Sequence, residues 1–248
     1  MHRFFLAPDQ ARGEPLVLTG REAHHALHVL RVRRGEPVMV LDGAGLECRC
    51  EVQACGRNTV DLKVVERRSL QPLPCQITLL QALPRGKLIE GIIQKATELG
   101  VRRVIPLLSE RVVAQLDKES AVEKAEKWQR VAIEAIKQCG SAWLPKVEPA
   151  MTPQQFLARG EGFELAVIGS LQPGSRHPRE HFLGFEKKQQ RKPNSVAVWI
   201  GPEGDFSSAE LQMIEAAGAL PITLGPLVLR TETAALYCLS ILNYELQG

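Results

Sequence analysis

Up to about residue 70 the apolar positions fall in short alternating runs. Pro37-Val38-Met39-Val40-Leu41, Glu47-Cys48-Arg49-Cys50-Glu51-Val52 and Thr59-Val60-Asp61-Leu62-Lys63-Val64-Val65 place every second side chain on one face, and Asp42-Gly43-Ala44-Gly45 and Gly56-Arg57-Asn58 separate them. This pattern predicts a small antiparallel sheet or barrel. Helical spacing enters once, around Glu22 to Leu30. Gln71-Pro72-Leu73-Pro74 then reads as an extended linker, and the grain changes beyond it. Ile77-Thr78-Leu79-Leu80, Val104-Ile105-Pro106-Leu107, Leu165 to Ile168, Val196 to Ile200 and Ile222 to Leu224 read as buried strands. Helices are expected between them. Ile89, Ile92, Ile93, Ala96 and Leu99 share one stripe ended by Gly100, and a long helix runs from about Lys118 to Cys139, ended by Gly140. Ser207 and Glu210 form a capping box, and Thr231 opens the last helix. Segment 172–194, rich in Pro, Gly, Lys, Arg and Gln, reads as a mobile excursion. Strands alternating with helices imply a parallel α/β sheet.

Composition narrows the class. The chain has 248 residues, 44% of them apolar, enough for one large domain or two modest ones. A net charge of +3 favours an anionic partner only weakly, so any nucleic-acid face must be assembled by the fold. No apolar run approaches a membrane span, and Pro8-Asp9-Gln10 cuts short the apolar start Phe4-Phe5-Leu6, which argues against a signal peptide. Six cysteines in a chain this long are no disulfide scaffold. Cys48, Cys50 and Cys55 cluster without a fourth ligand, and His24, His25 and His28 lack a completing carboxylate, so no metal is assigned. Cytosol is the expected compartment.

The candidate chemistry lies near the C-terminus. Ile200-Gly201-Pro202-Glu203-Gly204-Asp205-Phe206 and Leu224-Gly225-Pro226-Leu227-Val228-Leu229-Arg230-Thr231-Glu232-Thr233-Ala234-Ala235 each run from an apolar strand through a Gly-Pro turn into a helix. Such turns set bare backbone amides beside a ligand. Leu224, Leu227 and Leu229 suit a flat apolar ring, whose edge the backbone near Gly201 and Gly225 can read. Neither GxGxxG nor GxxxxGK[ST] is present, so neither a nicotinamide Rossmann site nor a P-loop is supported. Arg31, Arg33 and Arg34 form a basic run suited to phosphate, and Arg85-Gly86-Lys87 precedes a helix start. Lys95 and Glu98 are spaced as a helical ion pair.

Taken in order, His25, Val29-Leu30-Arg31, Gly86 to Val101, Ser109-Glu110-Arg111, Ile200 to Gly204 and Leu224 to Ala235 resemble the RsmE family, bacterial small-subunit ribosomal RNA uridine-N3 methyltransferases of the SPOUT class. The resemblance implies a PUA-like β-barrel RNA-binding domain over residues 1–70 and an α/β SPOUT methyltransferase domain over 75–248 with a C-terminal trefoil knot. It implies a cytoplasmic homodimer that binds S-adenosylmethionine, acts on 16S ribosomal RNA of the small subunit and needs no metal. Cofactor contacts are expected from Leu171, Ile200, Gly201, Pro202, Glu203, Gly204, Leu224, Gly225, Leu229, Arg230, Thr231, Thr233 and Ala234. RNA contacts are expected from His25, Arg31, Arg33, Arg34, Arg85, Lys95 and Gln138. Methylation at N3 requires that nitrogen to lose its proton; Arg230 is the candidate to stabilise the anion, and Glu232 to orient Arg230 or relay the proton. The plainer reading is that Thr231 caps a helix and Glu232 sits in its first turn.

The chain departs from the family pattern at Ser141-Ala142-Trp143, where an arginine usually follows Gln138-Cys139-Gly140, at Asp205 in place of a glycine, and at Leu88 in place of a lysine. Two alternatives therefore stand beside the enzyme: an RNA-binding ribosome-assembly factor on the same fold, and a SPOUT methyltransferase acting on another RNA.

Overall fold

The computed structural model describes residues 1–112 and 118–247; Gly248, the expected end of the second domain, lies outside the described residues. Two compact units are present: Met1–Pro72 with Ile133–Leu144, and Leu73–Ala132 with Pro145–Gly248.

The first unit carries β1 (His2–Phe5), β2 (Leu16–Leu18), α1 (Gly20–His24) continuing into a π-helical segment His25–Leu30, β3 (Pro37–Leu41), β4 (Leu46–Cys55) and β5 (Val60–Ser69). The sheet order is β1-β3-β4-β5-β2. Alternation sends Cys48, Cys50 and Val52 into the core while Arg49 and Glu51 face water. Burial pushes the Cys50 thiol up to about 12, so it packs as an inert small hydrophobe. The sheet is not purely antiparallel as expected, because β1 runs parallel to β3 with Phe4 opposite Val40. Four residues containing adjacent phenylalanines show no alternation to read.

Residues 133–144 belong to this unit for local reasons. Lys137 is buried, with Nζ 2.8 Å from Glu22 Oε1 and 3.0 Å from Glu134 Oε2. The second oxygen of Glu22 accepts the Phe5 N–H at 3.1 Å. Ala142 O accepts from Gly45 N at 3.0 Å, and any side chain at Gly45 would meet the Trp143 ring at 2.6 Å. Ser141-Ala142-Trp143 is thus a packing segment against the β3–β4 turn.

The second unit contains β6 (Gln76–Ala82), α2 (Leu88–Glu98), β7 (Arg103–Leu107), most of α3 (Lys118–Cys139), β8 (Lys146–Val147), α4 (Pro153–Leu157), β9 (Leu165–Gly169), α5 (Pro178–Gln189), β10 (Ser195–Ile200), α6 (Ser208–Ala216), β11 (Leu220–Ile222) and α7 (Thr231–Leu246). The strands form one parallel sheet in the order β11-β9-β10-β6-β7-β8. A parallel sheet is covered on both faces, which is why its strands read as continuous apolar runs. Ser207 accepts from Glu210 N at 3.2 Å and Glu210 reaches back to Ser207 N at 3.0 Å, the capping box expected for α6. The C-terminal end is fastened by Gln247, whose amide donates to Cys75 O at 2.7 Å and accepts from Cys75 N at 3.1 Å.

Three expectations need correction. Segment 172–194 contains α5, with Pro178 at its first position, a reciprocal His177–Glu180 cap and a buried Phe182. Its polar composition hid an element with one apolar anchor and strong start signals. Glu98 accepts from Gln94 Nε2 at 3.2 Å, and no ion pair joins it to Lys95 among the described residues. Thr231 is the first residue of α7; Arg230 occupies the cap position without a side-chain cap bond.

Candidate functional site

The turns after β9, β10 and β11 meet at the C-terminal edge of the parallel sheet around a cavity of about 380 Å³. Ligands of open α/β sheets lie outside the carboxyl ends of the strands. After β10 the chain closes a tight turn in which Asp205 N donates to Pro202 O at 2.9 Å. Asp205 is left-handed at φ 62°, and its Oδ1 accepts from Phe206 N at 2.8 Å. Gly201 sits in tight quarters: a Cβ would stand 3.0 Å from Asp205 Oδ1 and 3.2 Å from Phe206 N, so the turn would have to give by a few tenths of an ångström. Phe206 is fully buried and anchors the turn in the core. After β11, Gly225 is at φ 107° and its N–H donates to Thr223 Oγ1 at 3.3 Å.

A buried hydrogen-bond chain joins these two turns. Thr231 Oγ1 donates to Gly201 O at 2.6 Å, and Gln81 Nε2 donates to Thr231 Oγ1 and to Ala82 O, each at 2.9 Å. The direction is determined by the acceptors: two carbonyls can only accept, so Gln81 must present its amide nitrogen. Gln81 is fully buried on β6, and its Oε1 has no partner among the described residues. Orphaning a buried acceptor costs about 1–3 kcal/mol, a sign that the two donations from the same amide are worth keeping.

Of the residues expected at a cofactor, Leu171, Ile200, Gly201, Pro202, Glu203, Leu224, Gly225, Leu229, Thr231 and Ala234 line this cavity. Gly204, Arg230 and Thr233 lie outside its wall, as does Glu232. Arg230 and Thr233 are exposed and Glu232 is half-buried in the first turn of α7. No ion pair joins Arg230 to Glu232 among the described residues. Ser170, Gln172, Ser175 and Thr223 also line the cavity without having been expected. Gly169-Ser170 ends an apolar strand just as Gly201 and Gly225 do, and that repetition was the available signal.

A second cavity, of about 780 Å³, lies beyond Glu203. Leu83, Pro84, Arg85 and Gly86 follow β6, Arg111 and Val112 follow β7, and Glu203 and Gly204 follow β10. Arg85 N donates to Glu203 Oε1 at 3.0 Å, and Arg111 Nη1 donates to Gly204 O.

The remaining candidates are spread over both units. His25 is half-buried with its ring edge-on to Phe4, and Arg31 ends the π-helical segment in a left-handed conformation at φ 55°. Arg31, Arg33, Arg34 and Gln138 are exposed in the first unit, Arg85 and Lys95 in the second. Arg33 N donates to Glu36 Oε2 at 3.0 Å. The His24 and His28 rings lie tilted at 47° with centroids 4.8 Å apart, and among the described residues no group of three or more His, Cys, Asp or Glu could hold a metal ion. No described helix is long and apolar enough to cross a membrane.

A parallel sheet with a glycine-turn cavity at its C-terminal edge, joined to a separate small β unit, defines a class. The family model for an RNA methyltransferase domain matches residues 71–243, and that for an RNA methyltransferase PUA domain matches residues 18–65. Ribosomal RNA small subunit methyltransferase E of Bacillus subtilis is 32% identical over 99% of this chain and 97% of its own length. Its Synechocystis counterpart is 34% identical over 100% of this chain and 78% of its own length. The chain belongs to the ribosomal RNA small subunit methyltransferase E family. Among solved structures, a Legionella pneumophila methyltransferase in complex with its bound cofactor SAM is 31% identical, covers 98% of this chain and 96% of its own, and superposes with a TM-score of 0.87. The Neisseria gonorrhoeae ribosomal RNA small subunit methyltransferase E, bound to S-adenosyl methionine, is 27% identical over 98% and 97% of the two chains, with a TM-score of 0.84.

Proposed function

We propose that the chain transfers the methyl group of S-adenosylmethionine to N3 of a uridine in 16S ribosomal RNA of the small subunit. The observation that carries the reading is the cavity between the two glycine turns, in a chain whose relatives are ribosomal RNA methyltransferases. Its volume of about 380 Å³ falls in the range of small-molecule sites, about 300–1,000 Å³. Its walls combine apolar side chains with backbone N–H and C=O groups, which suits a nucleoside. Ile200, Leu224 and Leu229 would flank the adenine; the backbone near Gly201 and Gly225 would read its edge; Leu171, Pro202, Glu203, Thr231 and Ala234 complete the walls, with Gly204 and Thr233 just outside. When bound, S-adenosylmethionine supplies an electrophilic methyl group on sulfur, which departs as a neutral thioether.

The chain's own residues must then manage the uracil proton. N3 attacks as an anion; Arg230 stabilises its charge, and Glu232 orients Arg230 or receives the proton. Both sit at the start of α7, next to the cavity wall at Thr231. His25, Arg31, Arg33, Arg34 and Gln138 of the first unit, and Arg85 and Lys95 of the second, contact RNA in this reading. The protein works in the cytoplasm as a homodimer, with its C-terminal segment threaded as a knot. Exposed Leu171, Leu227 and Val228, between 62% and 78% accessible, line the cavity and support a subunit contact beside it. The bond from Thr231 to the Gly201 carbonyl supports close lacing of the C-terminal segment with the turn after β10.

The test is incubation with labelled S-adenosylmethionine and small ribosomal subunits lacking the modification, followed by nucleoside analysis. Label in 3-methyluridine is the expected result. Label in another nucleoside refutes the assigned atom, and absence of both label and cofactor binding favours the assembly-factor alternative. A monomer by light scattering at micromolar concentration refutes the dimer.

A further inference from the structure

Carboxylates hold Arg103, Arg159 and Arg191 in the second unit: Arg159 reaches Glu148 at 2.7 Å and Arg191 reaches Glu164 at 2.6 Å. The second cavity is different. Arg85 and Arg111 both line it, and among the described residues neither guanidinium has a carboxylate partner. The Arg85 backbone engages Glu203, yet its side chain has no bond to any described residue. Arg111 uses one nitrogen on Gly204 O and keeps its other donors. Among the described residues of the wall Glu203 is the one acidic group, and it accepts a backbone N–H. Among the described residues the site therefore presents two guanidinium groups against one carboxylate, leaving an excess of positive charge. It opens at the carboxyl ends of β10, β6 and β7, three neighbouring strands, and shares Glu203 with the first cavity.

We infer that the second cavity is the substrate phosphate site, in which Arg85 and Arg111 hold an RNA phosphodiester so that the attached base faces the first cavity across Glu203. The inference rests on the methyltransferase reading above. A planar guanidinium matches phosphate oxygens in bidentate fashion, and phosphate contacts set register without reading sequence. Two such groups from different loops would hold the nucleotide, leaving the first cavity for the methyl donor.

The competing occupant for the same chemistry is the carboxylate of the methyl donor, and the experiment separates the two. In the full-length protein, Arg85→Ala and Arg111→Ala are compared with wild type for S-adenosylmethionine Kd by calorimetry. The same proteins are assayed by filter retention on small-subunit ribosomal RNA lacking the modification, over a range of salt. Each variant should weaken RNA binding about tenfold and lower the salt slope by about one, with cofactor Kd within about twofold. RNA affinity equal to wild type in Arg85→Ala overturns the inference, as does a loss that falls on cofactor Kd. Arg85→Ala keeps the test decisive if Arg111→Ala disturbs the turn, because the Arg85 side chain bonds nothing in the described protein. Filter retention reads RNA binding even if no methyl group is transferred, so a failure of the methyltransferase reading stays distinguishable.

Discussion

The two cavities share Glu203 and one edge of a parallel sheet, yet they are made of different materials. The first is walled by glycine turns, leucines and hydroxyls, and its shape depends on a buried neutral hydrogen-bond chain from Gln81 through Thr231 to Gly201. The second is walled by loop arginines that form no ion pair among the described residues. A neutral, preorganised wall suits a ligand enclosed and read by backbone; an exposed cationic one suits a polyanion bound from solvent. The first should therefore respond to changes in buried geometry, the second to charge and salt.

The most damaging change to the first cavity is Gln81→Glu. It places an acceptor against Ala82 O in a fully buried position, and should remove about 3 kcal/mol or more of stability, read as a fall in urea midpoint. Gln81→Met, which removes the donor without adding charge, should be milder.

Thr231→Val deletes the hydroxyl and leaves the Gly201 carbonyl without its donor. A loss of about 1–3 kcal/mol is expected, and if half of it appears in binding, cofactor Kd rises roughly two- to tenfold. Thr231→Ser keeps the hydroxyl and should restore Kd, an outcome that mere loss of packing volume would not give.

A control far from both cavities sharpens the comparison. Glu148 is buried among Arg103, Arg159 and Lys146. Burial raises its pKa, but the Arg159 hydrogen bond and the surrounding cations outweigh this and hold the carboxyl below its usual value. A depressed native pKa contributes stability in full above the unfolded-state value, and that stability disappears as pH falls through the lowered native value. Glu148→Gln should cost about 1–2 kcal/mol at neutral pH and flatten the acid limb of the stability profile, with cofactor Kd unchanged.

The smallest effect is expected for Asp205→Gly. Glycine relieves the left-handed backbone at φ 62°, worth about 1 kcal/mol, but loses the bond from Phe206 N. Net stability should change by less than about 1 kcal/mol and cofactor Kd by less than about twofold.

Much of the first cavity was legible because its materials are local. A glycine after an apolar strand and before a helical pattern is a short-range signal, and most of the cofactor residues that the family resemblance implied line one cavity. Ser170 and Thr223 escaped because a serine or threonine at a strand end is commonplace. Gln81 escaped for a stronger reason: its partner Thr231 is distant in sequence, and within β6 it looks like a polar interruption of an apolar run. α5 was missed because its single buried phenylalanine gives almost no periodicity, although its cap residues were present.

Sequence alone determined the alternation that forms the first sheet, the apolar runs and helical stripes of the second unit, and the motifs that place the chain in its family, since periodicity and turn chemistry act over a few residues. Only the tertiary structure decided that residues 133–144 close onto the first unit, that Gln81 fastens two turns through Thr231, and that Arg85 and Arg111 share a cavity. Each of these joins residues far apart along the chain, and such pairings follow from strand order and packing, which no local pattern encodes.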